Sequence, residues 1–459
     1  MYIFYAFLKK IKILSFSLFI YILNVRMTTD DSELILKTKY LFALITYILP
    51  ALSNAETNSG DTAWILTSSS LVLFMTLPGL ALFYAGLVQS KNVVSVLCQH
   101  FGIACLMSIL WVIAGYSLAF SQGTSIFIGD LSKLFLEISP DSNVGAIPEI
   151  LFAMFQMTFC IITPALVIGA YVERIKFSVI LIFSSVWLIL VYCPVAYWVW
   201  GGGFLAEMGV KDFAGGLVVH TSAGLAALVI ALVLGKRKSF SKDSLSPPHS
   251  PVLTMIGASM LWVGWFGFNG GSALAADNVA SQAILVTHVA ASLGAFSWII
   301  IEWIRFGKPS LVGMATGMVA GLATITPASG FVGVQGALII GLSGGVLCYL
   351  AVDLIRIKMK IDDSLDVFAV HGVGGILGTI LCAILMHSGF SGVGLDEGVT
   401  VISQLKVQIY AVVVTALWTI IFSYLILKFI SIFIELRVTE DQEIEGLDNS
   451  LHGESGYNN

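Results

Sequence analysis

From about residue 64 onward the chain is a succession of long apolar runs separated by short polar breaks. They lie roughly at 64–87, 95–120, 149–171, 177–199, 213–235, 252–273, 282–304, 311–328, 335–355, 366–387 and 407–434. Each reaches the ~18 residues that span the hydrocarbon core of a bilayer as a helix. The runs are continuous and do not alternate with period two, so they predict helices and not the strands of a membrane barrel. The expected fold is therefore all-α: a polytopic membrane bundle of eleven transmembrane helices.

Composition agrees with the pattern. Hydrophobic residues make up 57% of the chain and charged residues 11%, against about 25% charged in soluble domains; mean hydropathy is +0.93. The placement of the few basic residues sets the orientation. Lys91, Arg174, Lys176, Lys236, Arg237, Lys238, Lys242, Arg305, Lys308, Arg356, Lys358, Lys360, Lys428 and Arg437 fall at the ends where odd-numbered runs finish, and only Lys133, Lys211 and Lys406 follow even-numbered ones. The positive-inside rule then puts the N-terminus of the first run outside and the C-terminus inside. The formal charge of −5 says little about partners, because much of it comes from the acidic C-terminal end. All six cysteines fall inside apolar runs and no CxxC pair occurs, which argues for packing and against a disulfide framework or zinc site.

The two ends differ from the middle. Lys37 and Lys39 precede a short apolar run, Tyr40–Leu52, which closes on Ser53-Asn54-Ala55. A basic stretch, a short apolar core and a small-residue site make a signal peptide. Cleavage after Ala55 would leave the N-terminus outside, in agreement with the charge argument. Residues 1–55 thus read as an N-terminal extension with a cleaved signal peptide, the alternative being an uncleaved extra helix; Met27 competes with Met1 as the start. Residues 61–436 form one membrane domain, and 437–459 a cytoplasmic tail. From Val438 the tail carries Glu440, Asp441, Glu443, Glu445, Asp448 and Glu454 with no Lys or Arg, a composition that by itself predicts disorder.

Two histidines lie deep in apolar, glycine-rich surroundings: His220 in DFAGGLVVHTSAG (Asp212–Gly224) and His371 in DVFAVHGVGG (Asp366–Gly375). An imidazole at bilayer depth is costly and marks a pathway or ligand site. Asp212 opens the fifth run and Asp366 the tenth, each a few residues ahead of its histidine. The fifth run points inward and the tenth outward, so five helices are followed by five in the opposite sense. That five-plus-five inverted repeat places a site at the repeat interface near the midplane. Gly267 with Gly271, Gly317 with Gly321, Gly341 with Gly345, and Gly374 with Gly378 supply small-residue faces for close helix packing.

The deep parts of the runs hold almost no carboxylates. A K⁺ or Na⁺ channel needs carbonyl or acidic rings, and a proton-coupled carrier usually shows an internal acid; neither pattern is present. A central hydrophobic pore with two imidazoles suits a small molecule that travels neutral and hydrogen-bonds to nitrogen. Phe155 and Phe159 lie four apart on one helical face, Trp200 ends the fourth run, and Trp262, Trp265, Phe266 and Phe268 crowd the sixth beside Ser272. Aromatic faces attract a cation by ~0.5–2 kcal/mol. Membrane haem ligation is the rival use of two histidines, while a zinc protease would need an HExxH motif, which is absent.

GWFGFNGGSA (Gly264–Ala273), DFAGGLVVH (Asp212–His220), ITPASG (Ile325–Gly330), DVFAVHGVGG, LPGLALFYAGLVQSKN (Leu77–Asn92) and the tail EGLDNSLHGESGY (Glu445–Tyr457) resemble the ammonium transporters of the Amt/Rhesus superfamily, bacterial Amt type. The resemblance runs in motif order from about Asp61 to Asn459. It implies ammonium uptake across the inner, cytoplasmic membrane, with no enzymatic activity, cofactor, metal or nucleic-acid partner. It implies that His220 and His371 are the paired pore histidines. Phe155, Phe159, Trp200 and Ser272 would form the outer ammonium site, and Phe159 and Phe268 a stacked phenylalanine gate. Trp265 would line the lumen, Thr326 would stand near the outer vestibule, and Asp212 would support recruitment without touching substrate. The resemblance also implies a lipid-embedded homotrimer with one pore per subunit and a PII-type signal protein docking at the cytoplasmic face. The alternative function is an ammonium sensor (transceptor) signalling through the tail. His288 matches no motif and is expected to pack against a neighbour or face the trimer interface.

Overall fold

The computed structural model describes residues 57–123, 125–240 and 247–457; the expected signal peptide and the choice between Met1 and Met27 lie outside them. Among the described residues eleven helices are long and apolar enough to cross a membrane: α1 Ser59–Leu87, α2 Ser90–Phe120, α3 Glu149–Tyr171, α4 Phe177–Glu207, α5 Gly216–Leu234, α6 Pro251–Gly271, α7 Asn278–Phe306, α8 Leu311–Ala328, α9 Val334–Lys358, α10 Phe368–Leu385 and α11 Val401–Phe433. The strands among the described residues are a two-residue pair in the α2–α3 loop, β1 Asn143–Val144 antiparallel to β2 Ile147–Pro148. With an odd number of spans the two ends of the bundle face opposite sides. The Asn58 amide donates to Ala146 in the α2–α3 loop, while the C-terminal residues contact the basic loops, so the charge bias assigns the first side to the outside.

Burial sorts the helices into a centre and a rim. The apolar windows of α3 and α5 are 83% buried and that of α8 78%, against 28% for α11 and 39% for α7 and α9. Side chains of the rim helices face outward because lipid, not protein, solvates them.

The centre is built where α5 and α10 cross, and glycine makes the crossing possible. A Cβ at Gly224 would collide with the backbone of Gly372, and one at Gly375 would stand 2.7 Å from both the Gly216 carbonyl and the His220 Cβ. The other paired glycines also face neighbours: Gly267 and Gly271 meet α1 at Leu71 and Ser68, Gly317 and Gly321 meet α7, Gly341 and Gly345 meet α7 at Ala290 and Ser297, and Gly378 meets Thr324 of α8. Each lets backbones approach to a distance that any side chain would forbid.

The tail departs from what its composition predicts. Glu440–Glu445 is a helical turn capped by Thr439, and Asp448–His452 forms another. Its acids find partners on the membrane domain and within the tail. Glu443 pairs with Arg437 at 2.7 Å and Glu440 with Lys238 at 2.6 Å, the Lys91 ammonium donates to the Ile444 carbonyl, and Asp448 accepts the Ser95 amide at 2.7 Å near the start of α2. The Leu447 amide donates to Asn92 at 2.8 Å. A charge run that reads as solvated alone is ordered here by partners at the start of α2 and in the α5–α6 loop, hundreds of residues away in sequence.

Candidate functional site

The site follows the α5–α10 crossing. Both histidines sit on π-helical turns, Gly216–Thr221 and Phe368–Gly372, a distortion that recurs where a helix must present a functional group. Asp212 starts the first. Its carboxylate accepts the amides of Gly215 (2.8 Å), Gly216 (2.6 Å), Leu217 (2.7 Å) and Val218 (3.3 Å), which satisfies the open N-terminal turn of α5. Gly215, at φ +118°, supplies the left-handed link that bends the chain back over the carboxylate. The Asp212 carbonyl in turn accepts the Trp200 indole N–H at 2.8 Å.

From this frame the aromatic side chains descend in order. Phe155 and Phe159 meet edge-on with ring centres 5.1 Å apart, and Trp200 stands nearly perpendicular to Phe159 at 5.7 Å. Phe159 stacks on Phe268 at 4.3 Å, closing the column. Below them Trp265 stacks on His220 at 5.5 Å, and its indole N–H is fixed by the Thr326 hydroxyl at 2.9 Å. Thr326 is therefore buried under Trp265 and does not open onto the outer vestibule. Ser272 ends α6 half-buried, its hydroxyl on the Phe268 carbonyl at 2.9 Å.

The two imidazoles stack at 5.2 Å with 17° between planes, and their Nδ1 atoms are 3.2 Å apart. One Nδ1 must carry the proton and the other accept it. For neutral rings this fixes the far edges: the donor ring offers a bare Nε2 and the acceptor ring an Nε2–H. The His220 Nε2 is buried with no partner among the described residues. The 3.2 Å gap also leaves no room between these nitrogens for an axially ligated haem iron. Between the phenylalanines and the histidines lies a void of about 10 Å³ lined by Leu80, Ile162, Leu261, Trp265, Phe268 and Val319 with both imidazoles, about the space of one water-sized molecule.

Beyond His371 the column opens into an inner vestibule of about 230 Å³ with Tyr84, Gln89, Glu173, Arg237, Arg356 and Asp366 in its wall. Its charges are paired. Arg237 binds Glu173 at 2.7 Å and Asp362 at 3.0 Å, and the buried Arg174 lies 3.4 Å from Asp362. Burial lowers the Arg174 guanidinium to about 10, despite Asp362. Burial alone would raise the Asp362 carboxyl, yet Arg237 and Arg174 hold it below the usual carboxylate range.

The residues expected from the sequence lie along this column; besides the burial of Thr326, one further assignment changes. Asp366 pairs with Arg356 at 3.0 Å and adopts φ +60°, so it does not start α10 as Asp212 starts α5. Asp363 does: its carboxylate accepts the Phe368 amide at 2.7 Å. The clue was in the spacing, because Asp363 precedes His371 by the same eight residues that separate Asp212 from His220. The remaining histidines stand apart. His100 bonds the Val96 carbonyl and packs on Tyr84, and His249 bonds Tyr457 of the tail. His288 lies exposed on α7 against Trp262 and Phe266.

A helical bundle pierced by an apolar column, closed by stacked rings and followed by paired imidazoles, is a multi-pass membrane transport protein. Residues 63–457 match the model of the Ammonium Transporter Family, and the chain belongs to that family. It is 45% identical over 408 residues to a putative ammonium transporter of Methanothermobacter thermautotrophicus, covering 87% of this chain and 98% of the relative. It is equally 45% identical over 403 residues to an ammonium transporter of Bacillus subtilis, covering 87% and 98%. Among solved structures, Saccharomyces cerevisiae Mep2 superposes with TM-score 0.76 at 36% identity, covering 84% of this chain and 92% of that one. A sensor Amt protein superposes with TM-score 0.80 at 29% identity, covering 86% and 98%.

Proposed function

We propose that this chain takes up ammonium across the cytoplasmic membrane by capturing NH₄⁺ at the outer aromatic site and conducting it inward as ammonia. The observation that carries the reading is the His220–His371 pair, Nδ1 to Nδ1 at 3.2 Å, directly beneath the stacked phenylalanines. Phe155, Phe159 and Trp200 present π faces and edges that attract the cation, and the Ser272 hydroxyl adds a polar contact. Passing Phe159 and Phe268 strips hydration; burial without a counter-ion disfavours the charged form and lowers the ammonium pKa until the proton leaves. That proton crosses inward through the His220–His371 hydrogen bond beside the ammonia, so each molecule taken up carries one positive charge with it. Ammonia, a donor and an acceptor, is then passed along the bare Nε2 of one imidazole and the Nε2–H of the other. Trp265, held by Thr326, keeps the His220 ring in register, and Asp212 keeps the turn that carries it.

The test is a current recording on a solid-supported membrane after an ammonium pulse to the reconstituted chain. Ammonium evokes a current that equimolar K⁺ does not. Trp200→Ala with Phe155→Ala raises the half-saturating concentration roughly 2- to 30-fold, the factor that ~0.5–2 kcal/mol of cation–π attraction converts to. An equal response to K⁺ would remove ammonium capture from the account.

The unit of function is proposed to be a homotrimer with residues 437–459 as its regulatory tail. His288 supports this: an imidazole exposed to hydrocarbon on α7 is costly unless a second copy covers it. The docked tail and the open inner vestibule support a PII-type signal protein seated at the cytoplasmic face. Sensing through the tail is the second reading, favoured by the seating of Asp448 at the start of α2. Native mass spectrometry from detergent reads both assemblies: the trimer mass, and the mass added by a PII-type protein. A monomer throughout would reject the trimer, and no added mass with ATP or ADP present would reject the partner.

A further inference from the structure

The inner half of the pore carries a counterpart of Asp212 that the mechanism above does not use. Asp363 lies eight residues ahead of His371, and the Asp363 carboxylate accepts the Phe368 amide at 2.7 Å, with the Val367 amide also directed at it. These are the first amides of the segment that bears His371. The halves meet symmetrically: Gly224 abuts Gly372, and a Cβ at Gly375 would stand 3.1 Å from the Thr221 amide. A shift of the His371 turn would therefore be felt at His220.

The two carboxylates differ in one respect. Both Asp212 oxygens are saturated by amides, whereas the second oxygen of Asp363 is buried with no partner among the described residues. Charged and titratable groups face Asp363 from each neighbouring element. Asp366 does so from its own loop, Arg356 from the end of α9, Tyr84 from α1, and Arg174 from the α3–α4 loop. Burial, aided by Asp366, raises the Asp363 carboxyl to about 7.

We propose that Asp363 is the cytoplasmic positioning residue of the pore, holding the His371 segment by its leading amides as Asp212 holds the His220 segment. The proposal rests on the twin-histidine reading. The ionised carboxylate makes charge-assisted bonds to those amides, roughly twice as strong as neutral ones. Above about pH 7 the segment is held by the charge, and below it the neutral acid holds it less firmly.

The experiment compares the full-length chain in proteoliposomes as wild type, Asp363→Ala, Asp363→Asn and the double variant His220→Ala/His371→Ala, at equal pH on both sides. A misplacement of ~1 Å in a pre-organised site costs up to roughly 100-fold in rate, so Asp363→Ala should cut maximal ammonium flux by about 10- to 100-fold. Half-saturating ammonium should stay within about 2-fold, because the outer capture site is untouched. Asp363→Asn, which keeps an acceptor oxygen, restores part of the flux. Wild-type maximal flux falls between about pH 8 and pH 6, while that of Asp363→Asn stays flat. Native flux in Asp363→Ala, or a wild-type pH profile in Asp363→Asn, overturns the proposal. If Asp363→Ala does not fold, the pH comparison with Asp363→Asn decides. Unchanged flux in the double histidine variant fells the twin-histidine reading itself; loss there with native flux in Asp363→Ala fells only the role of Asp363.

Discussion

Replacing both His220 and His371 with alanine abolishes ammonium-selective flux. The two rings are the polar groups that bound the void below Phe268; the rest of its lining is aliphatic and aromatic. Entering an apolar enclosure without a hydrogen-bond partner costs an ammonia molecule roughly 2–7 kcal/mol. Even the lower end of that range slows passage about 30-fold, and ~3 kcal/mol slows it more than 100-fold. Loss of two rings also widens the column. If water fills the added space, the barrier to hydrated cations falls and the ammonium current gives way to one that K⁺ also carries. Both results follow from the same geometry, and one recording separates them: solid-supported membrane currents with ammonium and K⁺ pulses on the same preparation. A double variant with native flux and native selectivity would show that the imidazoles are spectators. The single variants are expected to differ in kind. Either leaves one imidazole with an unpaired Nδ1, so it keeps a hydrogen-bonding edge but loses the fixed tautomer order.

How much of this was legible before the structure depends on the range over which each feature is determined. The eleven spans were, because each is set by its own run of apolar residues; their ends were less so. The first helix begins at Ser59 and the last at Val401, earlier than hydropathy suggests, because Asn58 and Thr400 cap them and polar residues fill their first turns. The paired histidines were legible because a polar ring in an apolar glycine-rich run is conspicuous. Asp363 was not singled out, since Asp362, Asp363 and Asp366 crowd one loop and only the fold assigns each a partner: Arg237 and Arg174, the Phe368 amide, and Arg356 respectively. The tail misled for a related reason. Its partners lie on Lys91, Asn92, Ser95 and Lys238, and a composition argument sees only the acids. Local periodicity fixes elements, whereas the pairing of charges around the tail is a tertiary property.

Asp212→Ala should cost the protein its stable outer site. One buried carboxylate gathers four backbone amides at the start of α5, and the position is 6% exposed, so alanine leaves donors that neither the helix nor solvent readily satisfies. A hydrogen bond to a charged group contributes about 1.5–3 kcal/mol, and a carboxylate at a helix N-terminus adds up to ~2 kcal/mol. These terms overlap, and a combined loss of about 3–5 kcal/mol is the expected scale for removing one partner from a buried charged arrangement. The thermal unfolding temperature, followed by tryptophan fluorescence, should then fall on the order of 5–10 °C. Two conservative variants order the causes. Asp212→Asn keeps one acceptor oxygen without the charge. Asp212→Glu keeps both oxygens and the charge but adds a methylene to a packed site, at about 1–3 kcal/mol. Both should fall between wild type and Asp212→Ala. Transport should be lost further than stability, because the same carboxylate bends the chain that places the Trp200 hydrogen bond above and His220 below. An alanine variant that melts within about a degree of wild type and transports normally would mean that the α5 turn is held by packing alone, with the aspartate incidental to both site and fold.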